Sequence, residues 1–207
     1  SFFFYRFCFE IFGKKKYAIL SLILFSTNYA VITFGLGFLM DMGGWAGFIA
    51  AIYFAQKYHR TLLVRYLLAS ALFIATGGLI KEYAFFASIF IACTLIHNHL
   101  FKKREWKKFI FRTVFSGSIV AVPIILVYTF VYQKFGYTYF DWFLLNKTAY
   151  PRMGFEEYIK VFGSLYTFGW FLFGFAILKW KKLSQKLPLS LVFMFISSLP
   201  LLIWPVA

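Results

Sequence analysis

Acidic residues are scarce in this chain, with seven Asp and Glu against 22 Lys and Arg and a net charge of +15. Cysteine is sparse too, because only Cys8 and Cys93 occur, far apart and in apolar surroundings. This argues against a disulfide framework and against a cysteine-based metal site. The familiar soluble catalytic motifs are missing as well, since there is no G-x-x-x-x-G-K-[ST], no H-E-x-x-H and no G-x-S-x-G. The sequence therefore offers none of the usual signatures of a phosphate-loop NTPase, a zinc protease or a serine hydrolase.

Apolar residues, in contrast, are far more abundant than a soluble protein requires. Hydrophobic residues make up 62% of the chain and charged residues 14%, whereas a soluble domain is typically near half apolar and a quarter charged. The apolar residues come in long runs, which mark membrane spans. The composition therefore predicts an integral membrane protein of the all-α class, with membrane lipid as its solvent.

Seven apolar segments predict a polytopic bundle of transmembrane helices in which residues 1–207 form one domain. A full span needs about 20 residues, so the second, third and fourth segments are short and either extend into their flanks or pack inside the bundle. Because the chain begins inside an apolar stretch with no Met or basic region ahead of it, we expect it to be part of a longer protein with earlier spans. The segments run about 17–40, 43–56, 66–80, 83–97, 109–132, 161–178 and 188–206.

The distribution of charge predicts the orientation of these segments. With Lys14–Lys16 taken as cytoplasmic, most of the basic residues fall in alternate loops on that side, while most of the acids fall on the other side. This is the positive-inside pattern. It accounts for the net charge through topology, so we expect no nucleic-acid partner. We expect a cell inner or plasma membrane location with the basic loops cytoplasmic. The outer acids are Asp41, Glu82, Asp141, Glu156 and Glu157.

The pair Lys81-Glu82 is the strongest local signal for a functional site. It separates two uncharged apolar runs and follows Gly77-Gly78-Leu79-Ile80. Ionisable residues near membrane depth are costly and are functional candidates by default. The alternative is a hairpin tip in which Lys81 reaches headgroup phosphates and Glu82 offsets its charge.

Asp41 is the second signal. It lies between glycine-containing stretches, which predict a tight non-helical turn at Asp41-Met42-Gly43-Gly44. A carboxylate at the membrane rim can bind a divalent metal ion or take a proton. The alternative is a structural N-cap for a helix that begins near Trp45.

The outer connection at 133–160 combines charged residues with aromatic ones. Asp141, Tyr150 and Arg152 stand among further Tyr, Phe and Trp residues, a composition that suits sugar stacking and phosphate contact. It equally suits an interfacial helix lying flat on the membrane. On the cytoplasmic side, His97 and His99 stand beside the basic run 102–108 with Glu105 as the one nearby acidic residue, which favours interfacial histidines over a metal site. Arg6 and Glu10 have the i,i+4 spacing of a helical ion pair.

Three features of residues 17–100 carry a resemblance to a known family. An apolar helix leads through Ser26-Thr27-Asn28-Tyr29 to an outer turn with Asp41, a second apolar helix ends in the basic stretch 57–65, and a third run closes in Gly77-Gly78-Leu79-Ile80-Lys81-Glu82. This arrangement resembles the polytopic glycosyltransferases of the C-type superfamily. The group it is most similar to contains the dolichyl-phosphate-mannose protein mannosyltransferases and the aminoarabinose lipid A transferases.

The resemblance implies an inverting transfer of a hexosyl or pentosyl group from a polyprenyl-phosphate-linked donor to a protein, lipid or glycan acceptor on the outer face. It implies catalytic roles for Asp41 and Glu82 and a place for Lys81 beside the donor phosphate. The acid of the family's first outer loop would lie before Ser1. Asp141, Tyr150 and Arg152 are expected to contact substrate, although no family motif supports them. The cofactor stays open, with a divalent metal ion as the candidate.

Two other function classes fit the same composition. A transporter or flippase for lipid-linked sugars would need charged residues within the spans, whereas here they cluster at one rim. A non-catalytic membrane subunit would tolerate the replacement of Asp41 and Lys81 by alanine.

Overall fold

The computed structural model describes residues 2–27, 39–101 and 105–138, together with six separate residues, 141, 144, 145, 156, 178 and 181. All the secondary structure in this part of the chain is helical. Six α-helices follow one another: α1 (Phe2–Phe12), α2 (Lys15–Ser26), α3 (Leu39–Thr61), α4 (Val64–Ile80), α5 (Ala87–Phe101) and α6 (Trp106–Phe135), with a 3-10 helix at Glu82–Phe86 that leads into α5. The sixth and seventh apolar segments lie outside the described residues, apart from Leu178.

Two of the described helical stretches are long and apolar enough to cross a membrane. They are the 20 residues Glu82–Phe101 and the 30 residues Trp106–Phe135. Apolar side chains of α6 such as Phe111, Ile125 and Leu126 are more than 60% exposed. In water this would be a large unfavourable surface, whereas in a bilayer it is an ordinary lipid-facing one. The all-helical class is therefore confirmed, and these two helices support a membrane location.

Helix α3 lies at the centre of the described bundle. It packs along α4 and also contacts α1 and α5, while α6 packs against α4 and α5. Its buried side chains include a run of small residues, among them Ala50, Ala51 and Ala55, which allow neighbouring backbones to approach closely. Ser70 of α4 is fully buried in this contact and donates a hydrogen bond to the carbonyl of Ala51 at 2.6 Å.

Glycines bring α3 and α4 into backbone contact. A Cβ added to Gly47 would lie 2.6 Å from the Cα of Gly77, and one added to Gly77 would lie 2.9 Å from the Cα of Gly47. No side chain fits between two backbones at this distance. Packing of small residues is the typical way in which helices associate in membranes, where the hydrophobic effect does not drive one helix onto another.

The structure corrects two sequence predictions around Asp41. The described part of α3 is Leu39–Thr61, so Asp41 lies within a helix and is not an N-cap before Trp45. The predicted turn at 41–44 is helical for the same reason. Gly43 and Gly44 serve close packing instead, because a Cβ on either would collide with Ile80 or Lys81.

Two of the other boundaries lie close to the predicted positions, whereas the end of α2 does not. The helix is interrupted at Lys81, as predicted. Lys81 follows the end of α4 and has extended backbone with φ −152° and ψ 123°, and the 3-10 helix begins at the next residue. Helix α2 ends at Ser26, well before the predicted end of the first segment, and 28–38 lie outside the described residues. Helix α6 ends at Phe135 with Gly136 in the left-handed conformation at φ 76°, so the connection predicted at 133–160 starts about three residues later.

Helix α1 is joined to α3 through Glu10. Its carboxylate lies 3.4 Å from Lys57 Nζ and 4.0 Å from an Arg60 guanidinium nitrogen, and the same nitrogen donates to the Glu10 carbonyl at 3.2 Å. Lys57 also lies over the ring of Tyr53 at 5.0 Å. The expectation that Glu10 pairs with Arg6 missed these two partners, because sequence spacing shows neighbours within one helix and not across two.

We expect Glu10→Gln to lower the free energy of unfolding by about 1 kcal/mol, since it removes a charge shared by two partly shielded cations. The measurement is unfolding in detergent followed by helical circular dichroism. Glu105→Gln is the matched control, because Glu105 pairs with Lys108 at 2.8 Å on an exposed surface and should contribute less than about 0.5 kcal/mol. Equal losses in both variants would contradict the special role of Glu10.

Candidate functional site

The site predicted around Lys81 is built where the first turns of α3 meet the end of α4. A Cβ added to Gly44 would lie 2.5 Å from Lys81 Cβ and 2.9 Å from the ring of Tyr83. Helix α3 therefore passes directly beside the Lys81 backbone. Only glycine permits so close an approach. Close helix packing, and not a turn, therefore explains why glycine occupies position 44.

Asp41 is carried to the same end of the bundle by this contact. It lies three residues before Gly44 in α3, which corresponds to about 4.5 Å along a helix axis. The structure thus places the Asp41 backbone within about one helical turn of the contact with Lys81.

Glu82 occupies an environment that is unusual for a carboxylate. Its Oε1 atom is buried and has no hydrogen-bond partner among the described residues. Burial of a polar atom without a partner costs about 1–3 kcal/mol, and more when the group is charged. Such a cost calls for an explanation, and a substrate or proton that completes the site is one.

An apolar cavity of about 250 Å³ lies next to this site. Trp45 is one of its walls, and its ring lies 5.0 Å from the ring of Tyr83, the second residue after Lys81. The cavity extends between α1, the end of α2 and α3, so its long wall follows α3 away from Lys81. An aromatic cavity of this kind accepts apolar chains or rings. Its lining residues are Phe4, Phe7, Phe25, Trp45, Phe48, Ile49 and Ile52.

Of the three residues predicted in the outer connection, the structure describes Asp141 only. The hydroxyl and the backbone N–H of Thr138 both donate to Asp141 Oδ2 at 2.7 Å. These hydrogen bonds favour the carboxylate form and lower the pKa of Asp141 below its usual value. Asp141 therefore stays ionised at neutral pH and is suited to accept hydrogen bonds, not to donate a proton. Tyr150 and Arg152 lie outside the described residues.

The cysteines do not add a nucleophile to this site. Cys8 is buried in α1, and burial raises the pKa of its thiol to about 11. At neutral pH it is a neutral thiol and a poor nucleophile. In the described part of the chain no three His, Cys, Asp or Glu side chains come together as a metal cluster.

Sequence reasoning missed a group of buried polar side chains at the end of the bundle opposite Lys81. Gln56, Thr94 and Asn98 are each at most 2% exposed, and the ring of His59 lies 4.9 Å from that of His97. The available signal was their helical spacing, since Thr94 and Asn98 are four residues apart on one face of α5. This spacing was not recognised as a sign of burial, because polar residues are also expected at the end of a membrane span.

Comparison with protein-family models, with curated proteins and with solved structures gives no match for this chain.

Proposed function

We propose that this chain is the membrane part of a glycosyltransferase that moves a sugar from a polyprenyl-phosphate donor to an acceptor on the non-cytoplasmic face. The acceptor would be a protein, a lipid or a glycan. In this proposal the chain is a seven-span bundle in the cell inner or plasma membrane with its basic loops in the cytoplasm. One observation carries the proposal: the glycine contact between α3 and Lys81 gathers Asp41, Lys81 and Glu82 at one end of the bundle.

The chemistry assigned to these residues follows from their charges. An acceptor hydroxyl oxygen attacks the anomeric carbon, the bond from that carbon to the phosphate oxygen breaks, and the polyprenyl phosphate leaves with the electron pair. Lys81 would stabilise the negative charge that develops on this phosphate. Asp41 or Glu82 would take the proton of the acceptor hydroxyl. Asp41 and Glu82 also supply oxygen ligands of the type that Mg²⁺ and Ca²⁺ prefer, so a divalent ion is the candidate cofactor.

The apolar cavity supports the same proposal, because it offers a place for the apolar chain of the donor. A polyprenyl donor joins a charged phosphate to a long apolar chain, and both parts need a place within a few ångströms of each other. The cavity begins at Trp45, beside the Tyr83 ring and close to Lys81. Its volume of about 250 Å³ would hold two isoprene units or slightly more at ordinary packing density. The remaining chain would lie in the bilayer.

The test is a transfer assay in membrane vesicles from cells that express the chain in its full coding context. The donors are polyprenyl phosphates that carry a radiolabelled hexose or pentose, and the readout is label released from the carrier and attached to endogenous acceptors. We expect release from at least one donor. Donor that crosses the bilayer with its sugar intact would instead identify a flippase, and folded protein that does neither would contradict the proposal.

A further inference from the structure

A polar notch lies at the end of the bundle opposite Lys81, where the last turns of α3 and α5 meet the first turns of α6. Its volume is about 10 Å³, which is the space of one water-sized atom. It is open on one side to the surroundings of the bundle. The residues around it are Tyr58, Leu95, Asn98, His99, Lys108, Phe109 and Arg112.

The side chain of Asn98 is the anomaly in this notch. It is only 2% exposed, and neither its amide nitrogen nor its amide oxygen has a hydrogen-bond partner among the described residues. A buried amide group without hydrogen-bond partners destabilises the folded protein. The notch has room for one further atom. A hydrogen-bond donor in such a notch is the arrangement expected where a ligand oxygen binds.

Two of the residues that line the notch, Lys108 and Arg112, carry a positive charge. Arg112 donates to the hydroxyl of Tyr58 at 2.9 Å with one guanidinium nitrogen, and this contact fixes the planar group while its other N–H donors stay available. Lys108 stands at the rim, 2.8 Å from Glu105. His99 is held in place by stacking on Phe109 at 4.8 Å between ring centroids.

We infer that this notch binds a phosphate group, one oxygen of which enters and accepts hydrogen bonds from Asn98 and Arg112. The notch has room for one oxygen, so the rest of the phosphate group stays outside it. This suits a phosphate ester at a membrane surface, because its other substituents need space beyond the notch. Exposed Trp106 stands beside His99 with ring centroids 5.2 Å apart, and Trp is typical of the headgroup level. Basic pockets between membrane helices are known to bind anionic headgroups.

The experiment measures the binding of a short-chain phosphatidylglycerol to the intact chain by native mass spectrometry, with phosphatidylcholine as the comparison lipid. Wild type should prefer phosphatidylglycerol. Asn98→Leu and Arg112→Gln should each weaken its binding roughly tenfold, the effect of losing a hydrogen bond to a charged group. Lys107→Gln is the matched control, because it removes a charge from the same stretch of α6 without touching the notch, and it should weaken binding by no more than about threefold.

Several outcomes would overturn the inference. Equal weakening by all three variants, or a loss of preference at about 0.5 M NaCl, where exposed charges are screened, would indicate diffuse attraction only. Unchanged binding by Asn98→Leu would show that the notch holds water. Because Leu replaces a buried unpartnered amide with an apolar group of similar size, this variant should keep its fold, and its thermal unfolding checks that. Inorganic phosphate as competitor separates the sources: displacement of the lipid assigns the notch to free phosphate, and its failure assigns it to the lipid ester.

Discussion

Lys81→Ala is expected to reduce sugar transfer by about 100-fold or more while the protein stays folded. If Lys81 stabilises the charge on the departing phosphate, its removal takes a positive charge away from that phosphate at the moment the bond breaks. Loss of one such electrostatic contact typically lowers the turnover number by 10²–10³. The measurement is the initial rate of transfer from a labelled polyprenyl-phosphate donor in vesicles, with helical circular dichroism to check the fold.

Two further variants give this prediction its specificity. Lys81→Arg keeps the charge but changes its shape, so it should retain part of the activity, because a planar guanidinium does not replace a compact ammonium without displacement. Lys134→Ala is the control, since Lys134 lies at the same end of the bundle in α6, against Phe130 and Phe135, and has no assigned role. Wild-type turnover in Lys81→Ala would remove Lys81 from the mechanism and favour a non-catalytic subunit.

Gly47→Ala is expected to cost about 2–3 kcal/mol of unfolding free energy, the upper part of the range seen when a tight core is overpacked. The added methyl group would lie 2.6 Å from Gly77 Cα and 3.0 Å from the Phe73 carbonyl oxygen. Both are backbone atoms, so no side-chain rotation can make room and the two helices must separate. Unfolding in mixed detergent, followed by circular dichroism, measures the loss.

Gly117→Ala provides the matched control for this change. Gly117 is also helical, but a Cβ there meets nothing within 4 Å, so alanine should be neutral or stabilise by about 0.5–1 kcal/mol through helix propensity. If both substitutions had the same effect, helix propensity and not the α3–α4 contact would govern Gly47.

Because Gly44 contacts Lys81 through the same pair of helices, Gly47→Ala should also reduce transfer by moving Asp41 away from Lys81.

The sequence allowed a correct prediction wherever a property depends on neighbouring residues alone. Long apolar runs predict helices, since each residue contributes its own preference for the bilayer and the backbone must bond to itself there. The break at Lys81 was predictable for the same reason, because a charged pair interrupts two uncharged runs. The orientation of the loops and the roles of Tyr150 and Arg152 stay predictions.

Contacts between distant segments required the tertiary structure. Gly43 and Gly44 were predicted to form a turn, because local sequence preference cannot show that another segment packs closely against them. Glu10 read as a partner of Arg6, because the register that brings Lys57 and Arg60 beside it is set by the packing of α1 on α3. The polar notch at Asn98 was missed for the same reason. Composition and periodicity by themselves determined an all-helical, membrane-suited chain with a charged break at Lys81. Only the tertiary structure decided which side chains meet, because helix register results from many small packing contacts that no single segment contains.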